Sequence, residues 1–360
     1  MKITKKTGLF VIALVCIFLL LVILLKGNKE TTNEIRIGAI LPLTGYAATN
    51  GQMSQKALEL AIDSINRSQS DYKYTMVYED SKSTPKDAAS AYSKLHSQNV
   101  KFIIGFGGAT LYSFIPKTNN QNEILFATAT PNPGILDLSN RCIRVYPTVP
   151  MVTGRMLDFV KDNKYKSVAL LYIQNEVYSG YANVFKKQIE DAGMNLSFFE
   201  GYDPSTSDFK NIINKLIASK PDCIYLASTG ESTGVIIRQL YADTRIGDVP
   251  IIGDISLANS ENIALIGEIK TPVYIVNGPI QDCFINIFKT KYGSTPNAFA
   301  AYSYAIPFMI KESVDELGKD ASMKDLYECI MKKSFDSVIG RISFNIDSHE
   351  PKLELIMEKL

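Results

Sequence analysis

Short apolar segments alternate with amphipathic segments along most of the chain after residue 33. Residues 35–41 are apolar and short, which is typical of a strand buried on both faces, and residues 52–66 place apolar side chains at helical spacing. Further strands are predicted at residues 74–78, 102–104, 124–127, 167–172, 196–199, 223–227, 250–252 and 273–276. Helices are predicted at residues 85–98, 178–192, 208–219, 231–243 and 283–292. Repeated strand–helix units require right-handed crossovers and parallel sheets covered on both faces.

The length of this strand–helix pattern predicts the number of lobes. About 325 residues of strand–helix repeats exceed one doubly wound sheet, so the sequence predicts two Rossmann-like α/β lobes. The pattern changes near the end of the chain. Helices are predicted there at residues 298–317 and 324–332, before strands at residues 340–344 and 352–356.

An uncharged apolar run of 18 residues, 8–25, precedes the alternating pattern. It is longer than the apolar region of about 7–15 residues in a secretory signal, and Leu25-Lys26-Gly27 offers no small-residue cleavage site. As a helix it would span about 27 Å, close to the hydrocarbon thickness of a bilayer. We therefore predict that residues 1–26 form an uncleaved transmembrane anchor, followed by a linker over residues 27–33. A cleaved signal and a lipoprotein modified at Cys16 are the alternatives.

The charges around this run predict its orientation and exclude one class of partner. Lys2, Lys5 and Lys6 precede the run, which places the N-terminus inside and residues 27–360 outside, in the periplasm or at the cell surface. Five of the 38 basic residues and one of the 37 acidic residues lie in the first thirty positions, so the remainder has a balance of −3. A region without net positive charge is not expected to bind nucleic acid through its phosphates.

Four cysteines lie in the predicted outer region: Cys142, Cys223, Cys283 and Cys329. In an oxidising compartment they allow three pairings, among which the sequence does not choose. Cys223 lies in a predicted strand and is expected to be a buried small apolar residue. No C-x-x-C pair is present and the chain has only two histidines, so no metal site is predicted.

The sequence shows no catalytic or cofactor motif. Gly105, Gly107 and Gly108 follow a predicted strand, but a dinucleotide loop would need glycine where Thr110 stands. A Walker loop and a G-x-S-x-G elbow are both absent. His96 and His349 are expected to be solvated, on a polar helix face and in a turn. We therefore predict that the chain is not an enzyme and uses no cofactor.

Several stretches, in order along the chain, resemble the branched-chain amino acid (Leu/Ile/Val-binding) family of type I periplasmic binding proteins. The stretches are I-R-I-G-A-I-L-P-L-T-G at residues 35–45, I-I-G at 103–105, D-F, L-I and P-D at 208–209, 216–217 and 221–222, R-Q at 238–239, and G-R-I-S-F at 340–344. The resemblance implies two lobes joined by a three-segment hinge. It assigns residues 34–148 and 278–336 to lobe I, and residues 149–277 and 337–360 to lobe II.

The resemblance also implies which residues of lobe I touch a ligand. Family members hold the ligand carboxylate with a hydroxyl-bearing segment after the third strand, which corresponds here to Gly108, Ala109 and Thr110. The segment after the fourth strand corresponds to Ala129 and Thr130. This chain departs from the family pattern in two places. Gly108 and Ala109 stand where the family has a hydroxyl, and Pro131, which has no N–H to donate, stands at the threonine position of the segment after the fourth strand. A ligand other than an ordinary α-amino acid, such as an amide, a smaller carboxylate or a less polar metabolite, is one interpretation, and a one-residue shift that gives Thr130 the role is the other.

In lobe II the resemblance implies three ligand contacts. Tyr178 matches the family's aromatic residue at the start of the lobe II helix predicted at residues 178–192, and Thr229 lies in the loop after the strand at 223–227. Asp254 matches the acidic residue that receives an α-ammonium group. The alternative for Asp254 is that it only caps a helix.

From this resemblance we expect a small-molecule-binding protein outside the cytoplasm, which delivers its ligand to an ABC-type permease. A membrane-anchored ligand sensor without transport is the alternative, because an uncleaved anchor at residues 8–25 would also suit signalling. In either case binding, and not turnover, is expected.

Overall fold

The computed structural model describes residues 33–360 except 69, 120–121, 133, 259 and 267–270. The predicted anchor at residues 1–26 and all but the last residue of the predicted linker lie outside the described residues. Within the described residues, no helix has the length and apolar character needed to cross a bilayer.

The first part of the chain forms one half of an α/β lobe. Its strands are β1 (Glu34–Leu41), β2 (Lys73–Asp80), β3 (Phe102–Phe106), β4 (Ile124–Thr128) and β5 (Cys142–Arg144). Its helices are α1 (Ala48–Arg67), α2 (Pro85–Ser97), α3 (Gly108–Tyr112) and α4 (Ile115–Thr118). The strands pair in parallel in the order β2-β1-β3-β4-β5. Every residue of β3 and β4 is buried, which explains their unbroken apolar sequence.

The middle of the chain builds the second lobe. Its elements are α5 (Val149–Asp162), β6 (Ser167–Ile173), α6 (Glu176–Asp191), β7 (Asn195–Tyr202), α7 (Lys210–Ala218), β8 (Cys223–Ala227), α8 (Glu231–Ala242), β9 (Ile251–Asp254), α9 (Ser260–Ile266) and β10 (Val273–Asn277). The strands pair in parallel in the order β10-β9-β8-β6-β7. A short 3₁₀ turn, Ile255–Ala258, follows β9 directly.

The last part of the chain returns to the first lobe before its final strand crosses back. Its elements are α10 (Asp282–Tyr292), α11 (Ala298–Leu317), α12 (Met323–Lys332), β11 (Phe335–Ser337), β12 (Gly340–Phe344), β13 (Pro351–Lys352) and β14 (Ile356–Lys359). Strands β11, β12 and β13 form a small antiparallel sheet. Strand β14 pairs antiparallel with β10 at the edge of the second-lobe sheet.

Local capping explains where several helices begin. The side-chain oxygens of Thr84, Thr148, Asn175, Asn297 and Ser322 each accept a hydrogen bond from a backbone N–H in the first turn of the following helix. Two of these caps, Asn175 and Asn297, start the helices α6 and α11, which carry aromatic side chains to the space between the lobes.

Each lobe has its own apolar core, and the cores show where the chain changes lobe. Val145 and Tyr146 belong to the first core and Val149 to the second, so the first crossing lies between them. The second crossing connects β10 to α10. The third lies close to residue 354, because Leu353 packs on the first core and Leu355 on the second.

The position of the third crossing corrects the predicted lobe boundary at residues 336–337. Phe335, Ile339, Ile342 and Phe344 are all buried in the first core, so the sheet β11–β13 lies on lobe I. Lobe II receives only the end of the chain, from about residue 355, through strand β14. The predicted single strand at 352–356 is likewise wrong, because it spans this crossing and is divided between β13 and β14.

The four cysteines described by the structure are free. Cys223 is fully buried in β8, as predicted. Cys142 is also buried, whereas Cys283 is exposed. Of the three possible disulfide pairings, the structure contains none among these residues.

Candidate ligand-binding cleft between the lobes

A cavity of about 210 Å³ lies between the two lobes. It is somewhat larger than the roughly 150 Å³ apolar cavity that accepts a benzene molecule. Its walls come from residues at or after the carboxyl ends of strands in both sheets, which is where open α/β sheets bind ligands. Pro147, Gly278 and Leu355, one from each crossing, complete the lining. The loop-bearing ends of the two sheets therefore face one another across a shared space.

Asp254 is the only acidic residue that lines this cavity, and no lysine or arginine of the described residues lines it. It is the last residue of β9 and its side chain is 8% exposed. Burial raises the pKa of the Asp254 carboxyl, and hydrogen bonds from Ser256 and Tyr178 offset part of that effect. Asp254 forms no ion pair with any described residue. The cavity therefore contains a buried carboxylate without a cationic partner.

A network of hydrogen bonds holds Asp254 in place. Its Oδ1 accepts from the backbone N–H of Ser256 at 2.8 Å and lies within bonding reach of the Ser256 hydroxyl. The Tyr178 hydroxyl donates to Ser256 Oγ at 3.0 Å, and the Asn262 amide donates to the Ser256 carbonyl at 2.9 Å. Tyr178 itself is positioned by the cap at Asn175, whose Oδ1 accepts from the Tyr178 backbone N–H at 2.9 Å. The lobe II wall is fixed by these bonds.

Aromatic rings form the opposite wall, on lobe I. Tyr146 follows β5, and Phe299 and Tyr302 lie in the first turns of α11. The rings of Tyr146 and Phe299 stack with their centroids 5.9 Å apart and an interplanar angle of 2°. Tyr302 meets Tyr146 edge-on at 5.2 Å. Asn50 extends this wall, and its Oδ1 accepts from the Asn297 amide at 2.9 Å, which leaves its own amide N–H groups for other partners.

Three of the eight predicted site residues line the cavity: Tyr178, Thr229 and Asp254. Thr229 lies close enough to the Tyr178 hydroxyl to lower its pKa, so all three lie together on lobe II. Asp254 does accept hydrogen bonds from the turn that follows it, yet it also faces the cavity, so helix capping alone does not describe it.

The other five predicted residues do not line the cavity, although they lie near one another on lobe I. A Cβ atom built on Gly108 would lie 3.6 Å from Thr130 Oγ1. Thr110 directs its hydroxyl to the carbonyl of Phe106 at 2.5 Å, so this hydroxyl is already used within the lobe. Ala129, which precedes Thr130, has φ +52°. These residues form a separate group beside the cavity.

Thr130 stands out in this group. It is fully buried and its Oγ1 forms no hydrogen bond with a described residue. Its carbonyl accepts from the buried guanidinium of Arg144 at 3.1 Å, and Arg144 in turn pairs with Glu350 at 3.2 Å. Burial lowers the pKa of Arg144 and raises that of Glu350, as expected for an ion pair taken out of water.

The residues of the aromatic wall were not among the predicted site residues. Tyr146 follows a strand of only three residues, β5, which was not predicted. Phe299 and Tyr302 lie in a helix that was predicted with its correct bounds, but no ligand contact was predicted in it. The available signal was the concentration of tyrosine and phenylalanine at the start of α11, immediately after its cap.

The two histidines lie away from the cavity, and His96 differs from its prediction. Its Nδ1 lies 2.7 Å from an oxygen of the buried Glu123, so it is paired and not simply solvated. His349 has its Nδ1 3.3 Å from the Tyr327 hydroxyl. Among the described residues, no cluster of histidine, cysteine and acidic side chains could hold a metal ion.

Comparison with known proteins identifies the family. A profile of the periplasmic binding protein family matches residues 34–357. A leucine-, isoleucine-, valine-, threonine- and alanine-binding protein of Pseudomonas aeruginosa is 24% identical over 329 residues, which cover 87% of this chain and 86% of the relative.

Solved structures show the same fold. The substrate-binding protein of a branched-chain amino acid transporter from Streptococcus pneumoniae, in complex with isoleucine, has a TM-score of 0.75 and 20% identity, and the match covers 90% of this chain and 95% of that one. A solute-binding protein of an ABC transporter from Rhodopseudomonas palustris, in complex with 3,4-dihydroxybenzoic acid, has a TM-score of 0.76 and 18% identity, covering 91% and 93%. The fold thus occurs with both amino acid and aromatic acid ligands.

Proposed function

Because this chain belongs to the periplasmic binding protein family, we propose that it captures a small organic ligand, an amino acid or a related amide or carboxylate, in the cavity between its lobes. The observation that carries this proposal is Asp254, a buried carboxylate that faces the cavity without a cationic partner. A buried charge is costly unless it is paired. A ligand ammonium group would supply the missing charge.

The rest of such a ligand would meet both lobes. Tyr178 and Thr229 would contact it beside Asp254. The group of Gly108, Ala109, Thr110, Ala129 and Thr130 is proposed to receive the ligand carboxylate when the lobes close. The buried, unpartnered hydroxyl of Thr130 supports this role, since it is the one hydroxyl of that group still able to donate.

Closure of the lobes about their three crossings would enclose the ligand. Hinge motion of two lobes around a bound molecule is an established way to bury a small ligand. The ligand shifts the balance between open and closed forms only by the difference in its affinity for the two. A closed, occupied pair of lobes is then a shape that a membrane partner can recognise.

Delivery to an ABC-type permease is the partner role that we propose, outside the cytoplasm and with residues 8–25 as the anchor. Its support is the family and the transporter assignment of relatives. The second candidate is a membrane-anchored ligand sensor, which the long uncharged run at residues 8–25 favours. Deleting the gene separates them, because loss of ligand uptake supports delivery, whereas unchanged uptake with an altered cellular response supports sensing.

The ligand role is tested with the purified full chain in detergent. A thermal-shift screen of the common amino acids identifies binders, since a ligand at 100 times its dissociation constant stabilises the folded protein by about 2.7 kcal/mol. Each binder is then compared by calorimetry with the carboxylic acid that lacks its amino group. We expect the amino compound to bind at least tenfold more tightly. Equal affinity of the deaminated acid, or no response to any amine, would contradict the proposal.

A further inference from the structure

Three tyrosines of the cavity wall have hydroxyls that form no hydrogen bond with any described residue. Tyr146 and Tyr302 belong to lobe I and Tyr181 to lobe II, and all three line the cavity. Their side chains are buried, with exposures of 9%, 3% and 5% for Tyr146, Tyr302 and Tyr181. Two other tyrosine hydroxyls of lobe II are engaged, because Tyr178 donates to Ser256 and Tyr202 pairs with Ser228. The buried Tyr225 hydroxyl has no partner among the described residues either, but Tyr225 does not line the cavity.

Unpartnered hydroxyls are a poor lining for a purely apolar ligand. Buried hydroxyls almost always have a hydrogen-bond partner, and leaving one unsatisfied costs more than the bond itself contributes. A hydrocarbon side chain would displace water from all three hydroxyls and replace none of their bonds. An amide or hydroxyl group of the ligand would satisfy them.

The charge of the cavity lining further restricts the class of ligand. Asp254 is the only charged side chain among the residues lining the cavity in the described structure. A second carboxylate on the ligand side chain would therefore find no cation, and a second ammonium would find no second anion. Burial raises the pKa of Tyr146, Tyr181 and Tyr302 above the ordinary tyrosine value of about 10, so their hydroxyls remain protonated and able to donate.

We infer that the cavity selects an amine-bearing ligand whose side chain carries an uncharged oxygen acceptor, a carboxamide or a hydroxyl, in preference to a branched hydrocarbon. This inference rests on the proposed binding of an ammonium group by Asp254. Tyr146, Tyr181 and Tyr302 are assigned as the residues that determine this specificity. The cavity volume of about 210 Å³ restricts the ligand to the size of a single amino acid or a similar small amine.

Two pairs of probes of equal shape test the inference on the purified full chain. Asparagine carries a terminal amide where leucine carries two methyl groups. Threonine carries a hydroxyl where valine carries a methyl group. Calorimetry should show the polar member of at least one pair binding ten times or more tightly. A site built to hydrogen-bond a polar group rejects an analogue without it much more strongly than an apolar site rejects a polar analogue.

Single substitutions then connect this preference to the hydroxyls. Tyr146→Phe, Tyr181→Phe and Tyr302→Phe each keep the ring and remove one hydroxyl. At least one of them should weaken the preferred polar probe fivefold or more and leave the apolar probe unchanged or bound more tightly. Tyr304→Phe is the matched control, because Tyr304 lies on the same helix as Tyr302 but does not line this cavity. Unchanged thermal unfolding in each variant shows that the fold is retained.

The outcomes separate this inference from the proposed function. Leucine and valine binding as tightly as asparagine and threonine, or a polar preference that none of the three substitutions reduces, would overturn the inference and leave amine capture standing. If none of the four amino acids binds but other amines do, the inference about the side chain is also wrong. If no amine binds at all, the proposed function fails and this inference fails with it.

Discussion

The two walls of the cavity differ in how firmly their polar groups are held. On lobe II, Asp254 is fixed by Ser256 and Tyr178, and Tyr178 is fixed in turn by the cap at Asn175. On lobe I, Tyr146 and Tyr302 are positioned by ring packing alone, and their hydroxyls are free of other described residues. The lobe II wall offers one fixed charge beside the hydroxyl of Tyr181, and the lobe I wall offers only uncharged donors on rigid rings.

This difference indicates that the charged group and the uncharged hydroxyls recognise different parts of the ligand. A pre-organised carboxylate can receive an ammonium group without rearrangement, which is how a site gains affinity from charge. Hydroxyls on stacked rings can rotate to suit either a donor or an acceptor, which suits them to recognising a variable side chain. Asp254 of lobe II would then recognise the ammonium group that all ligands of the class share. Tyr146 and Tyr302 of lobe I, together with Tyr181 of lobe II, would recognise the side chain that distinguishes one ligand from another.

Removing the charge of lobe II should have the largest effect. Asp254→Asn keeps the size of the side chain, and we expect ligand affinity to fall by at least about thirtyfold, since losing one partner of a buried charge pair costs about 2 kcal/mol or more. Calorimetry with the identified ligand measures it. Asp158→Asn on the exposed face of α5 is the control and should bind as the unmodified chain does. A change below threefold at Asp254 would show that the charge is not the recognition element.

Lowering the pH should reproduce this loss gradually. As the pH falls through the raised pKa of Asp254, the carboxylate is protonated and affinity for an ammonium drops by up to about tenfold per pH unit. The free protein should respond in the opposite direction. Its folded form binds the proton more tightly than the unfolded chain, whose Asp pKa is about 3.9, so the contribution of Asp254 to stability rises as the pH falls between the two values. Affinity and Tm are measured together across this range, with Asp254→Asn as the reference that lacks both effects.

Crowding the lobe I wall at the second crossing should have an intermediate effect. A Cβ atom on Gly278 would lie 2.8 Å from the Tyr302 hydroxyl, so Gly278→Ala should destabilise the fold by about 1–3 kcal/mol. Adding Tyr302→Phe removes the clashing oxygen and should recover part of the loss. Urea unfolding of the two single variants and the double variant measures the interaction, and strict additivity would show that the two side chains do not meet.

Loosening the lobe II network should have the smallest effect. Ser256→Ala removes the hydroxyl that reaches Asp254 and accepts from Tyr178, but keeps the backbone N–H bond to the carboxylate. We expect a loss in ligand affinity of about 0.5–1.5 kcal/mol. Because this hydroxyl also lowers the pKa of Asp254, the pH at which binding is lost should move upward. Titration at several pH values measures both changes, and a downward shift would contradict the assigned contact.

The fold could be predicted to a large extent from the sequence, because burial on both faces leaves a direct pattern. Continuous apolar runs predicted β8 with its bounds and most of the other parallel strands. The small sheet on lobe I was misplaced for a physical reason. Its strands are two to five residues long and only partly buried, so their sequence does not show which lobe they pack on, and the boundary was taken from the family resemblance.

The site was predictable only where function and pattern coincide. Asp254, Tyr178 and Thr229 were predicted because the resemblance to the family gives a position for each of them. Tyr146 and Tyr302 were not predicted, because a tyrosine that packs on a core and one that faces a ligand have the same local pattern. Thr110 was predicted to contact the ligand, but its hydroxyl donates to the carbonyl of Phe106 instead.

The three crossings have a mechanical consequence, because Pro147, Gly278 and Leu355 are part of the cavity wall itself. A molecule bound there would contact the residues at the crossings between the two lobes, not residues at the outer edges of the lobes. Displacement in a rotation grows with distance from the axis, so a shift of a fraction of an ångström at these residues is amplified at the rims. A ligand bound there would therefore contact the residues nearest the proposed hinge, and the largest displacement would occur at the outer rims of the two lobes.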